Sequence, residues 1–195
     1  MQIRLRAIAT LLCLLNLAAF RLHGQQVTSV PQLFEQLQSE KTTDQATSQF
    51  LKPGPGNVNA KSYLAPHLPV IISQKPKNHY VWLNSVRLAG TFRITEAIPA
   101  LIKWINAAAE TGGTLAENNR LDSYPCAKAL VQIGEPAVPA LIETLEKGDS
   151  RHQWFACRVL FMIGTPRAID ALRNHINHEP NPDFKREIQR ALDRK

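Results

Sequence analysis

Apolar residues over positions 130–145 follow the spacing of two successive amphipathic helices. Leu130 and Ile133 share one helical face before Gly134. Beyond it, apolar positions recur at the i, i+3, i+4 and i+7 spacing of a second helix: Val138, Leu141, Ile142 and Leu145. A glycine just past a helix end accepts positive φ without a Cβ clash, and Pro136 suits a first helical turn, where its missing N–H is not needed. The pattern predicts a tight antiparallel helical hairpin.

The start of the second helix recurs along the chain, which indicates an internal repeat. Similar apolar phrases, most with a proline second, begin at residues 30, 68, 98, 138 and 169, so the repeat unit is about 30 residues long. The copies at residues 30 and 68 are degenerate, because neither follows an Ile-Gly turn like those at residues 133–134 and 163–164.

Residues 129–142 closely resemble a HEAT repeat, in particular the short form of the phycobilisome-lyase HEAT-like family. Residues 88–102 and 159–172 resemble it more weakly. The resemblance implies an all-α fold, a right-handed α-solenoid of antiparallel helical hairpins. It also implies that the second helices line a concave surface, usually one that binds protein, but it implies no particular partner.

The first residues carry the features of a secretory signal. Two arginines precede an apolar run over residues 7–20, and Gly24 offers a small residue for cleavage before Gln25. The run is too short for a transmembrane helix, which needs about 20 residues. We therefore predict that residues 1–24 are a signal peptide and that the protein is exported, periplasmic or secreted, with no integral membrane segment after signal removal. An uncleaved anchor is the alternative, because residues 22–24 match the cleavage pattern poorly.

The remaining residues, 25–195, are predicted to form one HEAT-like repeat domain. Its predicted parts are degenerate repeats over 25–77, clearer repeats over 78–178 and a capping helix over 182–195. A first short helix is predicted over residues 30–38. The Pro/Gly-rich residues 52–57 and the turn-rich residues 111–119 are predicted to be loops.

Glycines and prolines also set three local boundaries in the prediction. Gly90 is predicted to end the helix that begins near residue 78, and the next helix is predicted over residues 96–109. Residues 61–74 are predicted to be helical with Pro66 and Pro69 near the start of the helix, where proline is best tolerated.

The positive charge of the chain does not by itself indicate a nucleic-acid-binding protein. The formal charge of +7 falls to +4 without the predicted signal, which holds three arginines and no acid. Acidic and basic residues interleave over residues 143–151, so the surplus is typical of a solvated surface rather than of a phosphate-binding stripe. We therefore predict no nucleic-acid partner.

The sequence shows no catalytic constellation, cofactor motif or metal site. Cys126 and Cys157 fall on first helices, and stacked equivalent helices lie about 8–10 Å apart, whereas a disulfide needs Cα atoms within about 7 Å. They are therefore predicted to be two small buried residues. His175 and His178 adjoin Glu179 but lack a further ligand in the pattern, which favours a solvated helix face. We predict a protein that is not an enzyme and uses no cofactor or metal.

The outward positions of the second helices are the candidate binding surface. Equivalent positions in the three clearer repeats give the predicted site residues: Lys103, Trp104, Glu143, Thr144, Asn174 and His175. Trp104 is a large aromatic residue where the other repeats carry polar ones, and tryptophan is enriched at binding hot spots. The alternative is that Trp104 packs beneath the insertion at residues 111–119. Trp82 and Trp154 fall on first helices and are interpreted as packing residues.

Three functional hypotheses follow. The first is an exported, non-enzymatic HEAT-repeat scaffold that binds a protein or peptide through the concave face of its second helices. The second is a lyase or chromophore-handling protein resembling the phycobilisome lyases, which would bind a chromophore that absorbs visible light. The third is a structural spacer in an envelope complex, which would bind through its ends or convex side and would be insensitive to changes at Trp104.

Overall fold

The computed structural model describes residues 28–52, 59–75, 78–109 and 121–193, which are helical and contain no strand. The α-helices are α1 (Val30–Leu37), α2 (Thr43–Leu51), α3 (Ala60–Gln74), α4 (His79–Thr91), α5 (Ile98–Lys103), α6 (Pro125–Ile133), α7 (Val138–Lys147), α8 (Ser150–Ile163), α9 (Pro166–His178) and α10 (Pro182–Leu192). Short 3₁₀ helices cover Thr95–Ala97, Leu121–Ser123 and Glu135–Ala137.

The helices stack in two layers. The odd layer consists of α1, α3, α5, α7 and α9, each of which contacts the next helix of that layer. The even layer, α2, α4, α6, α8 and α10, stacks in the same way, and each odd helix also packs against the even helix that follows it. One core therefore runs between the layers from hairpin to hairpin, as in a solenoid. The predicted all-α solenoid is confirmed.

The turn between α6 and α7 forms at Gly134 as predicted. Its φ of 79° and ψ of −138° lie in a region that glycine adopts and other residues rarely do. The 3₁₀ helix Glu135–Ala137 follows, and the N–H of Ala137 donates to the carbonyl oxygen of Gly134 at 2.9 Å. α7 then begins at Val138, so one glycine and the turn after it reverse the chain between the two layers.

The core is built from the apolar face of each helix. Leu130 of α6, Leu141 of α7, Leu160 of α8 and Leu172 of α9 are fully buried. Burial of one such side chain contributes about 1.5–3 kcal/mol. Helices of this length are marginal alone, so packing between the layers holds them in place.

Helix α3 corrects the predicted repeat at residue 68. The helix predicted over residues 61–74 is confirmed, since α3 covers Ala60–Gln74, but Pro66 and Pro69 lie in its interior rather than near its start. One face of α3 carries three fully buried side chains at helical spacing: Leu64, Leu68 and Ile72. Their burial offsets the cost of an interior proline, about 3 kcal/mol. The helix start assigned to residue 68 is therefore wrong.

Gly90 does not end its helix, contrary to the prediction. It lies inside α4, which continues to Thr91, and the positive φ of the following turn belongs to Arg93, at 50°. A Cβ atom on Gly90 would lie only 2.9 Å from the Cα of Ala129 in α6. Glycine at this position therefore permits a close approach of two helices of the even layer.

The helix predicted over residues 96–109 is shorter in the structure. A 3₁₀ turn precedes it, and α5 covers Ile98–Lys103 only. Trp104 leaves the helical region with φ of −115° and ψ of 21°, and turns follow to residue 106. The chain therefore leaves the odd layer earlier than its apolar spacing indicates.

The terminal helices of the described part match their predictions. Residues 30–38 were predicted helical and form α1, which buries Leu33, Phe34 and Leu37. The predicted capping helix is α10, which buries Ile188. The predicted signal at 1–24, most of the 52–57 loop and the 111–119 insertion lie outside the described residues.

In the described ranges, no helix combines the length and the apolar character needed to cross a membrane.

Candidate functional site

A cleft of about 1280 Å³ opens between the last two hairpins of the described chain. One wall is formed by α7 and α8, and the other by α9, α10 and the connection over residues 179–181. We call it the carboxy-terminal cleft. Its apolar lining includes Ile142, Leu145 and Ala171. The volume exceeds that of most small-molecule sites, about 300–1,000 Å³, so a peptide segment fits as well.

The amphipathic pattern of α10 explains why the cleft stays open. Ile188 is the one fully buried side chain of this helix, and Phe184 is half-buried where α10 faces the cleft. Most other positions of α10 are exposed charged or polar residues. α10 therefore anchors to α8 and α9 at few points and does not fill the space between the hairpins.

A histidine–carboxylate pair is part of the lining of this cleft. His175 Nε2 and Glu179 Oε2 are 2.8 Å apart, and the two side chains are 14% and 6% exposed. The other oxygen, Oε1 of Glu179, accepts the N–H of Asn181 at 2.8 Å. Asn181 caps α10 by accepting the N–H of Asp183 and of Phe184. The pair thus fixes the end of α9 against the start of α10.

Trp154 connects the two walls of the cleft. Its Nε1–H donates to Oε2 of the exposed Glu187 in α10 at 3.0 Å. The guanidinium carbon of Arg158 lies 4.5 Å from the centre of its ring, and the ring of Phe155 lies 4.8 Å away, edge to face. This half-buried indole therefore combines an aromatic face, a carboxylate and a bound cation within one small area.

The lining of the cleft is acidic although the chain is basic overall. Its carboxylates are Glu146, Asp170, Glu179, Asp183 and Glu187. Its one guanidinium is Arg167, whereas the chain carries a formal charge of +7. The cleft therefore presents a charge opposite to that of the rest of the molecule.

The structure brings two of the predicted site residues into this cleft and leaves two beside it. Asn174 and His175 line it. Glu143 is exposed on α7 and pairs with Lys147 at 3.1 Å, and Thr144 donates its hydroxyl to the carbonyl oxygen of Ala140 at 2.8 Å. Neither Glu143 nor Thr144 lines the cleft.

Lys103 and Trp104 lie together at a second place, the carboxyl end of α3. Trp104 Nε1–H and Lys103 Nζ each donate to the carbonyl oxygen of Ser73 at 3.2 Å. The buried Trp82 donates to the preceding carbonyl, that of Ile72, at 3.3 Å. Lys75 Nζ lies 5.5 Å from the centre of the Trp82 ring and 5.2 Å from that of Trp104. We call Trp82, Trp104 and the end of α3 the tryptophan cluster.

The tryptophan cluster bears on the alternative proposed for Trp104. Its ring is half-buried against the core and its N–H is satisfied by α3. The insertion at residues 111–119 lies outside the described residues, so packing of Trp104 beneath it stays a prediction. The N–H of Trp104 nevertheless has a partner in α3, and the centre of its ring lies 5.2 Å from Lys75 Nζ and 5.3 Å from Lys103 Nζ.

The two cysteines offer no exposed nucleophile. Cys126 and Cys157 are buried free thiols. Burial raises the pKa of Cys126 well above its usual range and that of Cys157 to about 12, so neither forms a thiolate readily. Among the described residues, no group of three or more His, Cys, Asp or Glu side chains is placed to hold a metal ion.

Trp154 and Glu187 are two residues of the cleft that sequence reasoning missed. Trp154 was interpreted as a packing residue because it lies on a first helix, and α10 was interpreted only as a cap. The two residues lie 33 positions apart, about one repeat, so the signal was the placement of Glu187 one repeat beyond an aromatic residue of the same layer.

Comparison with known proteins agrees with the stacked hairpins. Residues 118–193 match the family of HEAT repeats. The chain is 29% identical over 113 residues to a phycocyanobilin lyase subunit beta of Nostoc sp. strain PCC 7120, and the match covers 56% of each protein. The matched region thus spans about half the length of that curated relative. No solved structure matches the chain.

The matched family segment contains the best repeat of the sequence and the cleft. Residues 118–193 include α6 to α10 and the Gly134 turn from which the resemblance was drawn. The resemblance to HEAT repeats is therefore confirmed over this segment of the chain.

Proposed function

We propose that this chain is a non-enzymatic scaffold that binds a protein or peptide segment, with the carboxy-terminal cleft as its main contact. The observation that carries the proposal is the cleft itself, which lies between two hairpins and receives Asn174 and His175 from the predicted binding surface. Solenoids commonly use such surfaces for binding, because stacked repeats present long concave faces. Lys103, Trp104, Glu143 and Thr144 extend the proposed contact along the odd layer.

The lining of the cleft suits an extended segment of a partner. Ile142, Leu145 and Ala171 provide apolar contact, and Trp154 and Phe184 provide aromatic edges. Apolar and aromatic lining with a few polar groups is typical of binding pockets. Exposed amides such as that of Asn174 both donate and accept hydrogen bonds, which matches the backbone of an extended peptide.

Site-specific photo-crosslinking tests this proposal. A photoreactive amino acid replaces Asn174, which lines the cleft, or in a matched control Asn177, which is exposed on the same helix but is not part of the lining. Each protein is incubated with envelope extract of the native host, irradiated and analysed by mass spectrometry. We expect crosslinked peptides of one protein from position 174 and not from position 177.

Other outcomes separate the remaining hypotheses. Equal crosslinking from both positions contradicts a specific contact in the cleft. Crosslinking confined to probes on the even layer or at the ends of the stack instead supports the structural spacer. A partner that crosslinks only to a photoreactive amino acid at position 104 indicates that the contact lies at the tryptophan cluster.

A second candidate function is chromophore handling, as in a lyase. The observation that favours it is the 29% identity to a phycocyanobilin lyase subunit beta, over about half of each chain. Adding phycocyanobilin to the purified protein tests it directly. A saturable change in visible absorption that Trp154→Ala abolishes supports this candidate, and an unchanged spectrum at high protein concentration contradicts it.

We also propose that the protein is exported, on the charge and apolar pattern of residues 1–24. Intact mass and amino-terminal sequencing of the protein from the native host test this. We expect a chain that starts near Gln25 in the soluble envelope fraction. A full-length chain in the membrane fraction supports an uncleaved anchor, and a full-length chain in the cytosol contradicts export.

A further inference from the structure

The charge of the carboxy-terminal cleft is not explained by the stability of the fold. Five carboxylates line it against one guanidinium, in a chain with a surplus of positive charge. Like charges that lie close together repel, so a cluster of this kind carries an electrostatic cost unless cations join it. The question is which of these carboxylates already have a cationic partner.

Two of the five carboxylates are satisfied by arginines on their own helices. Asp170 pairs with Arg173 at 3.1 Å, and Asp183 pairs with Arg186. Both pairs are exposed and lie along α9 and α10. A partner therefore gains little from these two acids.

Two other carboxylates make no ion pair within the described part of the chain. Glu146 projects from α7, and Glu187 from α10, so they belong to different walls of the cleft. Glu187 accepts one hydrogen bond, from the neutral indole of Trp154 at 3.0 Å. A carboxylate has four lone-pair sites, so Glu187 retains capacity for a cation.

The indole beside Glu187 stacks against a cation of the chain itself, which shows that this aromatic face suits a guanidinium. The guanidinium of Arg158 lies 4.5 Å from the centre of the Trp154 ring. Cation–π contact and bidentate pairing with carboxylates are the two ways in which proteins recognise arginine. The ring of Trp154 and the carboxylate of Glu187 bring both together at the edge of the cleft.

From this arrangement we infer that the carboxy-terminal cleft recognises a basic segment, one that carries arginine or lysine side chains, on a partner protein. The inference rests on the proposed function and adds the chemistry of the partner. The aliphatic stems of the basic side chains pack on Ile142 and Ala171, while their charged ends reach Glu146 and Glu187. Acidic segments are excluded because the same carboxylates repel them.

Peptide binding measured by fluorescence anisotropy tests the inference on the full chain. The probes are labelled peptides of equal length that are arginine-rich, neutral or glutamate-rich. We expect the arginine-rich peptide to bind most tightly and to weaken as salt is raised, because screening reduces contacts between exposed charges. The glutamate-rich peptide should show no binding.

Two variants locate the contact. Glu146→Gln with Glu187→Gln removes both unpaired charges and should weaken the arginine-rich peptide about tenfold, from two partly exposed ion pairs. Glu135→Gln changes an exposed acid in the 3₁₀ turn before α7, outside the lining and outside the proposed contact, and should leave binding unchanged. Circular dichroism confirms that each variant is folded.

Each other result overturns the inference in a distinct way. Equal binding of the neutral peptide shows that the cleft binds segments without regard to charge, which leaves the proposed function intact. Equal loss in Glu135→Gln and in the double variant shows a diffuse surface effect rather than recognition in the cleft. If no peptide binds and position 174 also gives no crosslink, both the inference and the proposed function fail.

Discussion

Tryptophan residues lie in two regions of this solenoid and differ in what their indole N–H groups bind: backbone carbonyl oxygens in one region and a side-chain carboxylate in the other. In the tryptophan cluster, the indoles of Trp82 and Trp104 donate to the carbonyl oxygens of Ile72 and Ser73 at the end of α3. In the carboxy-terminal cleft, the indole of Trp154 donates to an exposed side chain, Glu187. Trp82 and Trp154 both lie on even helices, so the difference arises from their neighbours and not from the layer.

The difference shows how equivalent residues in repeats take on different roles. The last carbonyl groups of a helix lack partners in the helix, and at the end of α3 the indoles donate to two of them beside the N–H of Lys75 and the ammonium group of Lys103. Those contacts belong to the fold. The bond between Trp154 and Glu187 joins two surface side chains, and a ligand can replace it at little cost in stability.

The largest expected effect comes from truncating the two even-layer tryptophans. Trp82→Ala should lower the free energy of unfolding by about 3–5 kcal/mol, because it empties a fully buried site and removes one of two donors to the carbonyl oxygen of Ile72. Trp154→Ala should cost about 1 kcal/mol, the lower end for single substitutions, since the side chain is only half-buried. Urea unfolding followed by circular dichroism measures both. Similar losses would break the distinction between the two regions.

The next largest loss of stability is expected at the Gly134 turn, which lies between the two regions along the chain. Gly134→Asn should cost about 1–3 kcal/mol, because φ of 79° with ψ of −138° is a strained combination for any residue with a Cβ. Gly164→Asn is the matched control, since its φ of 65° and ψ of 17° lie in the left-handed region that asparagine tolerates. Thermal unfolding of both variants measures the difference, and we expect the larger drop in Tm for Gly134→Asn. A larger loss at Gly164 would contradict the geometry of both turns.

Packing within the even layer should also differ between the regions. Gly90→Ala should cost about 1–2 kcal/mol, because its Cβ would meet the Cα of Ala129 at 2.9 Å. Ala191→Val in α10 faces a cavity of about 340 Å³ that also touches Cys157, so the added methyl groups find space. We expect little change in its urea midpoint. An equal loss in both variants would show that α10 is packed as tightly as α4.

The smallest expected effect is a dependence of stability on pH at the start of α8, a helix that forms part of one wall of the cleft. Hydrogen bonding, first of all from the N–H of His152, lowers the pKa of Asp149, which caps α8, below its usual value of 3.8. A carboxyl group with a lowered pKa in the folded state stabilises that state above its usual pKa. The contribution is lost as the pH falls through the lowered value. The helix that carries Trp82 is capped by Asn78, which does not titrate.

Hydrogen exchange between pH 5 and pH 3 therefore separates the two regions. We expect α8 to lose protection before α4 as the solution is acidified, and Asp149→Asn to remove the difference, because asparagine also caps helices but stays neutral. Simultaneous loss of protection in both helices would contradict a local role for Asp149.

The sequence predicted the fold best where one helix face and one turn decide the structure. The turn at Gly134 and the helices after it follow from local apolar spacing and from a glycine that alone tolerates its dihedral angles. The same rules failed at α3, because burial of Leu64, Leu68 and Ile72 carries the helix through two prolines. They failed at Gly90, because a contact with α6 needs the glycine.

The candidate site was predictable only in part, for a related reason. Asn174 and His175 could be placed by their register within one repeat, and both line the cleft. The bond of Trp154 to Glu187 crosses from α8 to α10 and depends on how the last helix docks. No local pattern encodes that docking, since α10 is held mainly by Ile188.

The buried thiols have a practical consequence for the dynamics of the stack. Cys126 lies on α6 and Cys157 on α8, and each is shielded from reagents while its helix stays docked. Alkylation of either sulfur must wait for an opening of the even layer around it. Mass spectrometry of the two peptides over time therefore measures two alkylation rates. The rate at Cys126 reports openings in the middle of the solenoid, and the rate at Cys157 reports openings of the hairpins beside the cleft. The natural thiols of the chain thus report how often its repeats separate, and no residue has to be introduced for the purpose.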